Sequence, residues 1–281
     1  MNNQKAIAIP EHLLQRKGAQ KAADIPAEAV ELLNRGRLET VNLTEWLAVD
    51  HRILLHHVIN ELGLLQEQDT AFAEAGLANE SKIMKIIPAI AQGWLELAER
   101  KPDAERARIF GALAAHRSDS VRCWAAYIVG LDQRLSLSQK LKGIRPFAAD
   151  SHFGVREIAW MAVREPITNE LEESLAILYE WARDQDANVR RFAVEAIRPQ
   201  GVWAKHISAL KQNPGMALPI LEHVKSDPVK YVQDSVGNWL NDAGKTAPDW
   251  VNQVCDAWLE LSDTKETRRI VTKGKRSLLK K

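Results

Sequence analysis

Asn188-Val189-Arg190-Arg191-Phe192-Ala193 decides how the chain is read, because its pattern recurs three more times. Ser120-Val121-Arg122-Cys123-Trp124-Ala125 and Gly154-Val155-Arg156-Glu157-Ile158-Ala159 precede it, and Tyr231-Val232-Gln233-Asp234-Ser235-Val236 follows. The valines step by 34, 34 and 43 residues, and Asp150, Asp184 and Asp227 each stand five residues before their own valine. An acidic turn leading into Val-Arg and then a small residue marks the second helix of HEAT-type repeats. In such repeats the valine packs between helices and the aspartate caps or pairs in the turn. A 34-residue step also suits a tetratricopeptide array, but the Trp-Leu-Gly-Tyr pattern of that repeat is missing. Stacked helix pairs of this kind build an α-solenoid, a curved superhelix whose concave face carries the second helices.

Away from these columns the pattern stays helical. Ile83, Ile86, Ile87, Ile90 and Trp94 fall on one helical face. Caps or prolines at Pro102, Asp119, Asp150, Asp186, Pro228 and Pro248 punctuate the segments. No alternating strand pattern is visible, so the fold class is all-α. Residues 1–281 are read as a single HEAT-like α-solenoid domain, with less regular helices over 1–100, clear repeats over 118–247 and a basic C-terminal helix over 264–281.

Composition sets the outer limits. Across 281 residues, 46% hydrophobic and 27% charged is an ordinary globular balance that excludes a disordered chain, and 14 Gly and 11 Pro without period exclude a collagen-like one. Cys123 and Cys255 are far apart among apolar helix formers, which offers neither a disulfide framework nor a thiolate metal site. Met1 to Pro10 lacks the pattern of a secretory signal and no apolar run approaches a membrane span, so a cytoplasmic monomer without membrane contact is expected. The net charge of +1 hides an asymmetry: from Thr264 to Lys281 eight bases face Glu266 alone. A cluster of fixed cations suits a polyanion, because binding releases counterions from phosphates, and a solvated tail is the plainer alternative.

Enzyme motifs are sparse. The chain has no Gly-rich phosphate loop, no Gly-x-Ser-x-Gly elbow and no His-Glu-x-x-His, and the adjacent His56 and His57 point to different helix faces, so no metal or cofactor site is expected. A polar slot does recur: Glu195 stands six residues after its repeat valine, as Asn238 does in the next repeat, and Trp160 and Trp239 fall within a residue of that slot. Either these groups line one shared surface, or Glu195 pairs with Arg191 and Arg198 at helical spacing while the tryptophans fill the core.

The run Asn188 to Ala204 resembles the Val-Arg-Arg-x-x-x-Glu-Gly-Thr-Arg-Pro-x-x-x-Trp-Ala block of bacterial DNA alkylation repair proteins of the AlkC type. Tyr231 to Asp242, with Lys245-Thr246-Ala247-Pro248-Asp249, is similar to the matching helix of AlkC and AlkD types, and Leu32 to Gly36 with Val41 to Leu47 resembles the AlkC-type amino-terminal region. The resemblance implies a monofunctional glycosylase that removes N3- or N7-alkylated purines from duplex DNA without metal or nucleotide. It implies Glu195 as the catalytic carboxylate and Trp160, Trp203, Asn238 and Trp239 as lesion contacts. Arg190, Arg191, Lys205, Lys245, Arg268, Arg269 and Lys273 are then candidate contacts to the DNA backbone. The second carboxylate of AlkC-type enzymes falls on Trp160 when matched by distance from Glu195, and on His152 when matched by the Phe-x-Val-Arg pattern. Two other functions fit the same fold: a DNA-binding protein without catalysis, and a scaffold that grips protein on its concave face.

Overall fold

The computed structural model describes residues 9–65, 72, 82–201 and 204–278, and among them the regular structure is helical throughout. Contacts divide the chain into two compact units, Met1–Asp132 and Gln133–Lys281.

The first unit holds α1 (Glu11–Leu14), α2 (Ala27–Asn34), α3 (Leu43–Ala48), α4 (His51–Glu61), α5 (Ile83–Glu99), α6 (Asp103–Ala114) and α7 (Asp119–Leu131). The apolar spacing of α5 is realised, since Ile86, Ile87, Ile90 and Trp94 are buried on one face. Asn42 caps α3 by accepting from Glu45 N, and Asp50 caps α4 by accepting from Arg52 N and Ile53 N. Gly36, with φ +67°, supplies the left-handed turn after α2. At the start of α7 the buried Asp119 accepts from Thr40 N at 3.0 Å and Thr40 Oγ1 at 2.9 Å. Inside the unit the Trp124 indole donates to His51 Nδ1 at 3.0 Å.

The second unit holds α8 (Leu137–Ala148), α9 (Phe153–Ala162), α10 (Arg164–Asn169), α11 (Leu171–Trp181), α12 (Ala187–Glu195), α13 (Ser208–Gln212), α14 (Leu218–Val224), α15 (Lys230–Ala243), α16 (Pro248–Leu261) and α17 (Lys265–Gly274). The expected basic C-terminal helix is α17. It packs closely on α15 through two glycines: a Cβ on Gly237 would stand 2.8 Å from Lys273 Cβ, and one on Gly274 2.9 Å from Leu240 Cβ.

Local chemistry explains why the repeat column reads as it does. Val121, Val155, Val189 and Val232 are fully buried. The arginine after each of the first three reaches back across the turn: Arg122 Nη1 donates to His116 O, Arg156 Nη1 to Asp150 O and Arg190 Nη1 to Asp184 O, at 2.8, 2.6 and 2.9 Å. In the fourth repeat Gln233 Nε2 does the same to Asp227 O at 2.7 Å. Asp150, Asp184 and Asp227 accept the backbone N–H two residues on, at 2.7, 2.9 and 2.8 Å, and His116 Nδ1 takes that place in the first repeat at 3.0 Å. Each turn is thus closed from both sides, and the arginines occupy equivalent positions, as the column predicts.

Candidate active site

Glu195 ends α12 inside a ribbon of alternating charges. Glu157 on α9 accepts from Arg191 on α12 at 2.5 Å, and Arg191 lies 3.6 Å from Glu195. Glu195 Oε1 accepts from Arg198 at 2.7 Å, Arg198 donates to Asp242 on α15 at 2.7 Å, and Lys245 closes the series on Asp242 at 3.0 Å. Three acids and three bases balance, so the ribbon carries no formal net charge. Its middle is buried, which is costly for ions unless every lone pair and proton is engaged. Ser235 completes that engagement by donating to Glu195 Oε2 at 2.6 Å. Burial pushes the Glu195 carboxyl up, but the Arg191 and Arg198 guanidiniums and the Ser235 hydrogen bond outweigh it and hold the group below the ordinary carboxylate range.

Exposure separates the three carboxylates. The side chains of Glu195 and Asp242 are 5% and 4% exposed, whereas that of Glu157 is 35% exposed. Each Glu157 oxygen takes one hydrogen bond, Oε1 from Arg191 and Oε2 from the Trp160 indole at 2.9 Å. A carboxylate offers about four lone-pair sites, so Glu157 keeps capacity for a solvent-side partner in a fixed orientation.

Two expected lesion contacts are core residues. Trp160 is 2% exposed with its N–H on Glu157, and Trp239 is fully buried with its N–H on Ile197 O at 3.0 Å. An indole is the largest apolar side chain, and these two fill the core while meeting their hydrogen-bonding need. Asn238 is half-buried and accepts from Arg276 at 3.1 Å. Trp203 lies outside the described residues.

Most of the expected DNA-backbone cations are engaged within the unit. Arg190 is bidentate to Asp227, at 2.6 and 3.2 Å. Arg269 donates to Asp234 at 2.7 Å, and Lys273 shares that carboxylate. Arg268 pairs with Asp263 and Lys245 also reaches Gln200 at 3.2 Å, while Lys205 is exposed. Residues not singled out by sequence complete the site. Arg164 on α10, 4% exposed, donates to the carbonyls of Ala196, Arg198 and Lys205 at 2.6, 2.5 and 3.2 Å and so pins the chain beyond α12. Glu157 carried one available signal: charges of alternating sign stand at the second place after the valine in successive repeats, as Glu157, Arg191 and Asp234. Among the described residues no group of three His, Cys, Asp or Glu side chains gathers as a metal would require, and no helix is long and apolar enough to cross a membrane.

The whole ribbon, from Glu157 to Lys245, falls within one stretch of the second unit. Residues 154–269 match the DNA alkylation repair enzyme family. The family resemblance read from the motifs is borne out by that match. Over 120 residues the chain is 40% identical to the uncharacterized protein YhaZ of Bacillus subtilis, covering 43% of this chain and 33% of that protein. The alkylpurine DNA glycosylase AlkC of Pseudomonas fluorescens, solved bound to DNA containing an abasic site analog, superposes with a TM-score of 0.65 at 24% identity, over 80% of this chain and 62% of its own. AlkD2 of Streptococcus mutans gives a TM-score of 0.56 at 21% identity, over 79% of this chain and 97% of its own. The chain therefore spans a third of the Bacillus relative and under two thirds of AlkC. At these identities the two structures establish that this chain shares their helical-repeat fold.

Proposed function

We propose that the second unit binds duplex DNA and hydrolyses the bond between deoxyribose and an N3- or N7-alkylated purine, with Glu157 as the carboxylate that faces the sugar. The observation that carries this reading is Glu157 itself. It is the solvent-reaching acid of the ribbon, held by Arg191 and Trp160, inside the stretch that matches the repair family. Alkylation makes the purine cationic, so the glycosidic bond breaks with its electron pair going to the base, which leaves neutral. Positive charge then develops on the sugar, and a fixed carboxylate beside it stabilises that charge and accepts a proton from the attacking water. Glu195 acts one step back, holding Arg191 and Arg198 in place rather than meeting the sugar.

The burial of Glu195 favours a second reading, a DNA-binding repeat protein without catalysis. Duplex DNA carrying 3-methyladenine or 7-methylguanine separates the two. Free base accumulating with enzyme turnover is the expected result; binding with no base released from either lesion would move the assignment to the second reading.

A further inference from the structure

We propose that Arg156 and Tyr231 form a contact site for one backbone phosphate of duplex DNA. The proposal rests on the DNA-binding reading above, and it starts from a break in the repeat pattern. The arginine after the repeat valine is neutralised in two repeats: Arg122 by Glu39 at 2.6 Å and Arg190 by Asp227 at 2.6 Å. Arg190 finds its acid in the turn of the following repeat. The corresponding acid for Arg156 is Asp184, and Asp184 is already bound by Arg145 at 2.5 Å.

Among the described residues, Arg156 therefore keeps its charge without a carboxylate. Its Nη1 closes the turn on Asp150 O and Ser151 O, its Nε approaches the Tyr231 hydroxyl at 3.4 Å, and its guanidinium lies 5.1 Å from the centre of the Tyr231 ring. Nη2 takes no part in these bonds. The Tyr231 oxygen accepts from Arg156, which leaves the phenolic hydrogen to donate elsewhere. Two donors, one on a fixed planar cation, stand side by side on a half-buried surface, and their common acceptor is an anionic oxygen such as a phosphodiester presents. Position agrees with chemistry: Arg191, which holds Glu157, lies over the same Tyr231 ring at 4.4 Å, so a phosphate on Arg156 and a sugar on Glu157 belong to neighbouring parts of one strand.

The test is the salt dependence of binding to undamaged duplex DNA. Arg156→Gln is expected to reduce the slope of log affinity against log salt by about 0.9, the loss of one neutralised phosphate. Arg156→Lys keeps the charge and should keep the slope, even if the turn is loosened. Tyr231→Phe should weaken binding a few fold at unchanged slope. The pair Arg190→Gln with Asp227→Asn removes a neutral unit and should leave the slope alone. An unchanged slope in a folded Arg156→Gln protein, or an equal loss of slope in the Arg190/Asp227 pair, overturns the assignment while DNA binding stands. Wild-type protein that binds duplex DNA without salt dependence overturns both.

Discussion

His51 carries a pH-dependence that can be read from its surroundings. Its Nδ1 accepts the Trp124 indole proton, and burial pushes the imidazole down from 6.5 to about 4, against the opposing pull of Asp50. The unfolded chain binds this proton more readily than the folded one between those two values. The contribution to stability is therefore complete above the unfolded value and is lost as pH falls toward the folded one. The shift corresponds to on the order of 3 kcal/mol. Unfolding free energies measured at pH 7 and pH 4 should fall further for the native chain than for His51→Gln, whose side chain does not titrate. Parallel losses in the two proteins would contradict a neutral buried His51. Sequence shows the histidine but not this behaviour, because the partner that fixes its tautomer, Trp124, stands 73 residues away.

At the scale of the helices, the contact between α15 and α17 depends on two positions without side chains. Gly274→Ala would bring a methyl group 2.9 Å from Leu240 Cβ, an atom of a buried residue that cannot swing aside. Overpacking of this kind costs about 1–3 kcal/mol, which urea unfolding of the variant should register. No loss of stability would mean that the two helices can part. The elements themselves were legible because their signals are local: the valine, its arginine and the turn aspartate all act within six residues of one another. The column thus announces both the helix and the clamp that starts it. What did not follow from the column is which residues would meet between helices. Arg191 finds Glu157 one repeat earlier, and Arg198 finds Asp242 44 residues later. The helical spacing of Glu195 to Arg191 and Arg198 was visible, and the pairing it allowed is the one formed.

For the molecule as a whole, composition says little about which charged and aromatic groups meet. The basic end reads as a cluster of cations, yet Arg268, Arg269, Lys273 and Lys275 each meet an aspartate outside the basic segment, at Asp263, Asp234 or Asp256. Of the two places open to the tryptophans near the polar slot, the core is the one they take, and Trp94, Trp124, Trp239 and Trp258 are among the largest fully buried side chains. Composition counts groups without their partners, so neither the pairing of these cations nor the burial of these indoles could be read from it. The family resemblance came through over residues 154–269 because its motifs follow the clamps and the ribbon. Single-turnover excision of a cationic alkylpurine from duplex DNA tests the central assignment, comparing the native chain with Glu157→Gln and Glu195→Gln under conditions where all three are folded. The account predicts a loss of at least two orders of magnitude for Glu157→Gln, about 2.7 kcal/mol of transition-state stabilisation, and a smaller loss for Glu195→Gln. An unaltered rate in Glu157→Gln, with Glu195→Gln inactive, would contradict it.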